Sequence, residues 1–376
     1  MIYLDNAATT KIYKKVQKAR DEAENLYFAN SSSLHTMGLK SQDLIKYSKN
    51  IIAKEIGSNP NEIYFTKGAT ESNNLVIKSF ARPNSVAITS SIEHSSVYES
   101  FRNYNFKEVI YLKNDVYGFI DLNDLKNKLN DEVRFVSIIY INNEVGTIQD
   151  ISAISKIIKS YNKDIVIHID ATQALGKISC NVEKLGVDIM SFSSHKFHGP
   201  KGIGGLYVRK EVIGKVKPVL FGGGQQVVSS GTDNHPAIYA MGVALEEELA
   251  LANYDYIMSL NQYMRKLVTE NIEDVVINTP SKNFSPYILS VGFSDIKSEV
   301  LLHMLEEEEI YVSSGSACSK GDNNRILEGL CLSNKFRDGV IRFSFSSENT
   351  REELEKTVEV LKNSIEIIRK VMRWKH

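Results

Sequence analysis

A chain of 376 residues with 24% charged side chains and a formal net charge of -1 has neither the basic excess of a nucleic-acid polyelectrolyte site nor an acidic tail. Its apolar runs are strand-sized and broken by charge well short of a bilayer span, and Met1-Ile2-Tyr3-Leu4-Asp5-Asn6 has no signal-like character, so the expectation is a cytoplasmic protein without a membrane partner. The length allows one large domain and a smaller one, and three cysteines (Cys180, Cys318 and Cys331) without a Cys-x-x-Cys pair exclude a disulfide framework or zinc knuckle.

Between about residues 60 and 210, short β-like runs alternate with helical stretches; the runs lie at 62–65, 85–89, 135–140, 165–170, 187–192 and 203–208. That alternation predicts parallel βαβ units in one open sheet, with chemistry at the carboxyl ends of the strands. Residues 236–273 read as mainly helical, with Pro236 near the start. From about 285 the pattern changes: strands at 287–293 and 340–345 flank a helix over 297–307. The stretch 352–374 then spaces Leu354, Val358, Leu361, Ile365, Ile368 and Val371 three or four apart, as one face of an amphipathic helix. This reads as a second, smaller α+β domain.

Several strand ends carry polar residues suited to chemistry. Phe65-Thr66-Lys67-Gly68-Ala69-Thr70 is a strand end, a glycine turn and a helix start, whose N–H groups suit a phosphate, or simply an N-cap. His94 follows the next strand, where its ring can stack on a planar cofactor and exchange protons, or can serve as a capping or core residue. Asn143 ends a further strand and offers an amide to a ring oxygen, or builds a turn with Asn142. Asp170 closes Ile165-Val166-Ile167-His168-Ile169-Asp170 ahead of Ala171-Thr172-Gln173, and Lys196 closes Ser193-Ser194-His195-Lys196. A lysine and an aspartate at neighbouring strand ends are what a pyridoxal phosphate site needs. The amine binds the aldehyde covalently, and the carboxylate keeps the pyridine nitrogen protonated so that the ring accepts electrons. Ser193 and His195 can reach the same phosphate.

The glycine-rich stretch from Gly222-Gly223-Gly224 to Ser230-Gly231-Thr232 either approaches a ligand or links two domains. Cys318, among small and polar residues beside Lys320, is expected on an exposed loop as a nucleophile or redox thiol; Cys180 and Cys331 read as structural.

Six segments in order (3–10, 68–74, 142–146, 170–173, 193–205 and 313–318) resemble the NifS/IscS-type cysteine desulfurases of the class V, fold-type I aminotransferases, nearly end to end. The resemblance implies an α/β fold-type I transferase with a mostly parallel seven-stranded sheet in a large domain, 14–255. A small α+β domain, 1–13 with 256–376, would carry the Cys318 loop. Pyridoxal phosphate would be bound by Lys196, paired with Asp170, stacked against His94 and contacted at its phenolic oxygen by Asn143 and Gln173. Ala69, Thr70, Ser193 and His195 would hold its phosphate, with Thr232 arriving from the partner subunit of a homodimer. Arg342 would clamp the carboxylate of L-cysteine, with Asn143 beside the substrate. Lys196 and His94 would act in catalysis, and Cys318 would take the sulfur as a persulfide while L-alanine leaves.

The sulfur acceptor would be an iron–sulfur scaffold or a tRNA-thiolation enzyme, and the only metal contact implied is a transient one between Cys318 and an iron–sulfur cluster. Two stretches depart from the family pattern: 225–230 carries no arginine, and 29–35 has no proline. Rival readings are a selenocysteine lyase or small-amino-acid aminotransferase of the same fold, a catalytically silent scaffold for sulfur carriers, and a metal site at His195 and His198. An aminotransferase has no need of Cys318 in its loop, and a silent scaffold none of Lys196, Asp170, His94 and Arg342 together.

Overall fold

The carboxyl ends of six strands meet along one edge of a seven-stranded sheet, and that edge organises the molecule. In a computed structural model that describes residues 1–223, 226–251, 253–314, 322–330 and 332–373, the chain opens with a short strand β1 (Ile2–Tyr3). The large sheet follows with β2 (Ile63–Thr66), β3 (Val86–Ser90), β4 (Glu108–Leu112), β5 (Val133–Ile139), β6 (Val166–Asp170), β7 (Ile189–Ser193) and β8 (Gly204–Val208). Its spatial order is β2-β8-β7-β6-β5-β3-β4.

Strands β4, β3, β5, β6 and β7 run parallel to one another, as the alternation of runs and helices predicts. Strand β8 is not: it runs antiparallel to both β7 and β2. A parallel return needs a crossover of a dozen or more residues, and the β7–β8 connection is too short for one, holding only a 3-10 turn at Ser194–Lys196.

Strands β3, β6, β7 and β8 are buried at every residue, because helices cover both faces. The period-two alternation sorts the side chains. Ala87, Phe135, Val166, Ile189 and Leu206 pack with Leu75, Val76 and Phe80 of helix Ala69–Phe80. Ile88, Val136, Ile138, Ile167, Ile169 and Met190 face the opposite way, into the larger core with Ile154, Ile158, Met241 and Leu245.

Beyond the large sheet, β9 (Val275–Ile277), β10 (Ile288–Phe293), β12 (Ser313–Ser314) and β13 (Val340–Ser344) form a four-stranded antiparallel sheet of order β12-β13-β10-β9. The short β11 (Ile310–Tyr311) pairs in parallel with β1, so the first residues of the chain join its last third. In the helix Arg351–Arg373, Leu354, Val358, Leu361 and Ile365 are buried, Ile368 packs at the margin, and Val371 is exposed. The helical stretch expected over 236–273 is two helices, His235–Leu251 and Tyr254–Asn271. Asn253 accepts a hydrogen bond from the Tyr256 N–H and starts the second, which its capping side chain favours over continuing the first. Among the described residues, no helix is long and apolar enough to cross a membrane.

Candidate active site

The pocket lies along the shared carboxyl edge of the sheet, with a volume of about 940 Å³. Each wall comes from a loop that leaves a strand: Gly68, Ala69 and Thr70 after β2, His94 after β3, Asn143 after β5, Asp170 at the end of β6, and Ser193, His195 and Lys196 after β7. Gly68 has φ 148°, a conformation that favours glycine, and no side chain caps the helix it begins. The first N–H groups of that helix therefore remain available to an anion. Gly204 at the start of β8 lets the turn come this close: a Cβ there would stand 2.7 Å from Gly68 Cα and 2.6 Å from the Phe192 carbonyl oxygen.

Lys196 Nζ donates to the carbonyl oxygens of Ala7 at 2.6 Å and Ala8 at 2.7 Å, so the N-terminal segment closes over it. Burial, reinforced by Arg342 and Lys177, lowers its pKa to about 7. Asp170 accepts from the Thr172 N–H at 3.0 Å and from Asn73 Nδ2 at 2.8 Å. Gln173 Nε2 donates to the Ala7 carbonyl at 2.8 Å while its Oε1 accepts from Lys177 Nζ at 3.2 Å; this fixes which way the amide faces. His195 hydrogen-bonds Thr9 Oγ1 at 3.2 Å, and burial with the charges of Lys196 and Lys201 lowers its pKa to about 4.

Arg342, on β13 of the smaller sheet, reaches the same pocket. It pairs with Glu144 at 2.9 Å and Asp5 at 3.2 Å, and also donates to the Asn143 carbonyl and Ser313 Oγ. Burial raises the Glu144 pKa even with this arginine beside it.

The aminotransferase class V family matches residues 2–357. The chain belongs to the class V aminotransferase family. A cysteine desulfurase IscS of Dictyoglomus turgidum is 39% identical, with 100% of this chain and 97% of that protein aligned. An Escherichia coli cysteine desulfurase IscS is 36% identical over 97% of this chain and 92% of its own. Among solved structures, a NifS-like protein superposes with a TM-score of 0.89 at 33% identity, covering 97% of this chain and 99% of the other. A second, described as SspA in complex with cysteine, gives 0.80 at 30% identity over 93% and 100%.

Class V members of this kind use pyridoxal phosphate, and the pocket fits that group. Asn143 Oδ1 and Thr172 Oγ1 are buried pocket atoms with no hydrogen-bond partner within the protein, which a polar cofactor would supply. The uncapped helix start suits its phosphate, Asp170 its ring nitrogen and Lys196 its aldehyde.

The fold brings together every expected site residue of this class V chain that it describes, except Thr232. That residue is exposed and does not line the pocket of its own chain. Cys318 and Cys331 lie outside the described residues. Cys180 is buried, and burial raises its thiol pKa. His198 is buried against Tyr13 and bonded to the Lys11 carbonyl, and no group of metal-ligating side chains exists among the described residues. In the arginine-free loop, Gln226 instead accepts from the Phe65 N–H at 2.7 Å and donates to Asp233 at 2.6 Å, pinning the loop to β2.

Asp5, Glu144, Arg325 and Ser96 also line the pocket and Asn73 bonds Asp170, and the sequence alone singles out none of them. Asp5 and Glu144 fall inside segments the resemblance rests on, but only their meeting at Arg342 shows what they do.

Proposed function

We propose that the protein is a pyridoxal phosphate-dependent cysteine desulfurase that removes sulfur from L-cysteine, giving L-alanine and a persulfide on Cys318. The observation that carries this reading is one pocket holding Lys196, Asp170 and Arg342 in a chain of this family. The bound cofactor supplies an electron sink for the bonds at the substrate Cα. Ala69, Thr70, Ser193 and His195 would hold its phosphate, Asp170 its ring nitrogen, Asn143 and Gln173 its phenolic oxygen, and His94 would lie against its ring. Lys196 would hold the aldehyde, and its amine is the group that takes and returns the proton at the substrate Cα; a pKa lowered to about 7 leaves much of it neutral for that task. Arg342 fixes the substrate carboxylate. Cys318, as the thiolate, attacks the substrate sulfur and keeps it as the persulfide; the electrons of the broken Cβ–Sγ bond stay on Cβ, which takes up one proton, equivalent to the one Cys318 gave up, to become the alanine methyl.

A homodimer in the cytoplasm completes the reading. Thr232, exposed and away from its own pocket, supports delivery to the phosphate site of a partner subunit. The sulfur passes to an acceptor protein, an iron–sulfur scaffold or a tRNA-thiolation enzyme. A division into a large domain, 14–255, and a small one, 1–13 with 256–376, is supported by the pairing of β1 with β11 and by the Asp5–Ser344 bridge.

The test is alanine and sulfide release from L-cysteine under reducing conditions. Equal yields, lost in Cys318→Ala while the yellow cofactor stays bound, are expected. A cofactor-loaded wild type that yields no sulfide would refute the reading.

A further inference from the structure

Two pocket residues, Asp170 and His94, are joined by a chain of hydrogen bonds whose direction is set from one end. A carboxylate only accepts, so Asp170 Oδ2, 2.8 Å from Asn73 Nδ2, dictates which way the buried Asn73 amide faces. The same nitrogen gives its second hydrogen to Ser96 Oγ at 2.9 Å. Ser96 Oγ, already an acceptor, turns its own hydrogen onto His94 Nδ1 at 2.8 Å, and the Ser96 backbone N–H meets that nitrogen at 3.1 Å. Two donors thus converge on one lone pair. A proton on Nδ1 would face the backbone N–H and the positive end of helix Ser95–Asn103, which His94 itself caps.

We infer that Ser96, aided by Asn73, is a positioning residue that holds His94 as a neutral imidazole with its proton on Nε2. The ring then serves the pocket as a hydrogen-bond and proton donor, leaving the base role to Lys196. The charged groups around it agree with this arrangement. Arg325 donates to the Glu93 carbonyl, and its fixed charge disfavours a further positive one beside it. The Glu93 carboxyl takes Ser90 Oγ and the Ile139 N–H on one oxygen, Oε1, and burial raises its pKa to about 8, so it stays largely uncharged at neutral pH; Glu99 on the following helix pairs with Arg102. Asp170 is linked to Ser96 and His94 through Asn73. The use made of the donor rests on the desulfurase reading; the tautomer does not.

The test is nitrogen-15 spectroscopy of the histidine-labelled holoenzyme, with His94 assigned by the signals lost in His94→Asn. Between roughly pH 5 and 8, His94 is expected to show an acceptor-type Nδ1 and a protonated Nε2 that do not move. In Ser96→Ala that pattern gives way to mixed tautomers and a titration inside the window, and Ser96→Thr, which keeps the hydroxyl, restores it. A protonated Nδ1 in the native enzyme, or an unchanged His94 spectrum in Ser96→Ala, overturns the inference. The expected spectra from an enzyme that releases no sulfide would sustain the inference while faulting the desulfurase reading.

Discussion

Lys196 combines three properties that a strand-end lysine rarely has together: a buried amine, two carbonyl acceptors from the N-terminal segment, and two further cations, Arg342 and Lys177, among the groups that lower its pKa. A pKa of about 7 in place of the ordinary 10.5 sets the sign of a pH effect. Only a neutral amine can bond to an aldehyde, so if Lys196 holds the cofactor, its uptake by the cofactor-free protein should rise through pH 7 and level off above pH 8, followed by absorbance. A midpoint near the ordinary lysine value would contradict this. Arg342 gives a second residue-scale prediction. Its partner Glu144 is buried, whereas Asp5 is partly exposed, so the two carboxylates should differ in worth. Glu144→Gln should cost about 3 kcal/mol by leaving the arginine short of a buried counter-charge. Asp5→Asn should cost about 1 kcal/mol or less. Chemical denaturation of both variants checks the order.

Elements place these residues through strand ends and turns. Gly204 sits where β2 and β7 flank β8, and the close approach of Gly68 depends on its missing side chain. Gly204→Ala should therefore destabilise by about 1–3 kcal/mol through overpacking, and cofactor affinity should fall with it because the phosphate turn moves. A variant with native stability and affinity would show that the turn adjusts freely. Much of this level was legible in the sequence. The runs ending at Thr66, Ser90, Ile139, Asp170 and Ser193 are apolar, short and followed by a polar turn, a local signal that needs no partner to be read. The reversal of β8 was not, because an apolar strand looks the same in either direction and only the brevity of its connection speaks for the hairpin.

Across the whole molecule, one apolar core joins the two sheets: Ile138 and Ile169 of the large sheet belong to the same buried cluster as Leu361 and Ile365 of the C-terminal helix. Leu361→Ala should lower stability by about 2–5 kcal/mol. Because the core is continuous, calorimetry should show a single transition moved down as a unit. Two separated transitions, with only one displaced, would mean the sheets unfold independently.

The sequence by itself determined which runs become strands, which strand ends carry Lys196, Asp170, His94 and Asn143, and which family the chain resembles. Each of these is a short-range pattern of apolar period, turn residue and polar side chain. Only the tertiary structure decided that Arg342 meets Asp5 and Glu144, that Ala7 and Ala8 cover Lys196, and that Ser96 links His94 to Asp170 through Asn73. Those contacts join residues from separate loops and from opposite ends of the chain. Such contacts leave no periodicity behind, and they exist only once sheet order and burial have brought their segments to one edge.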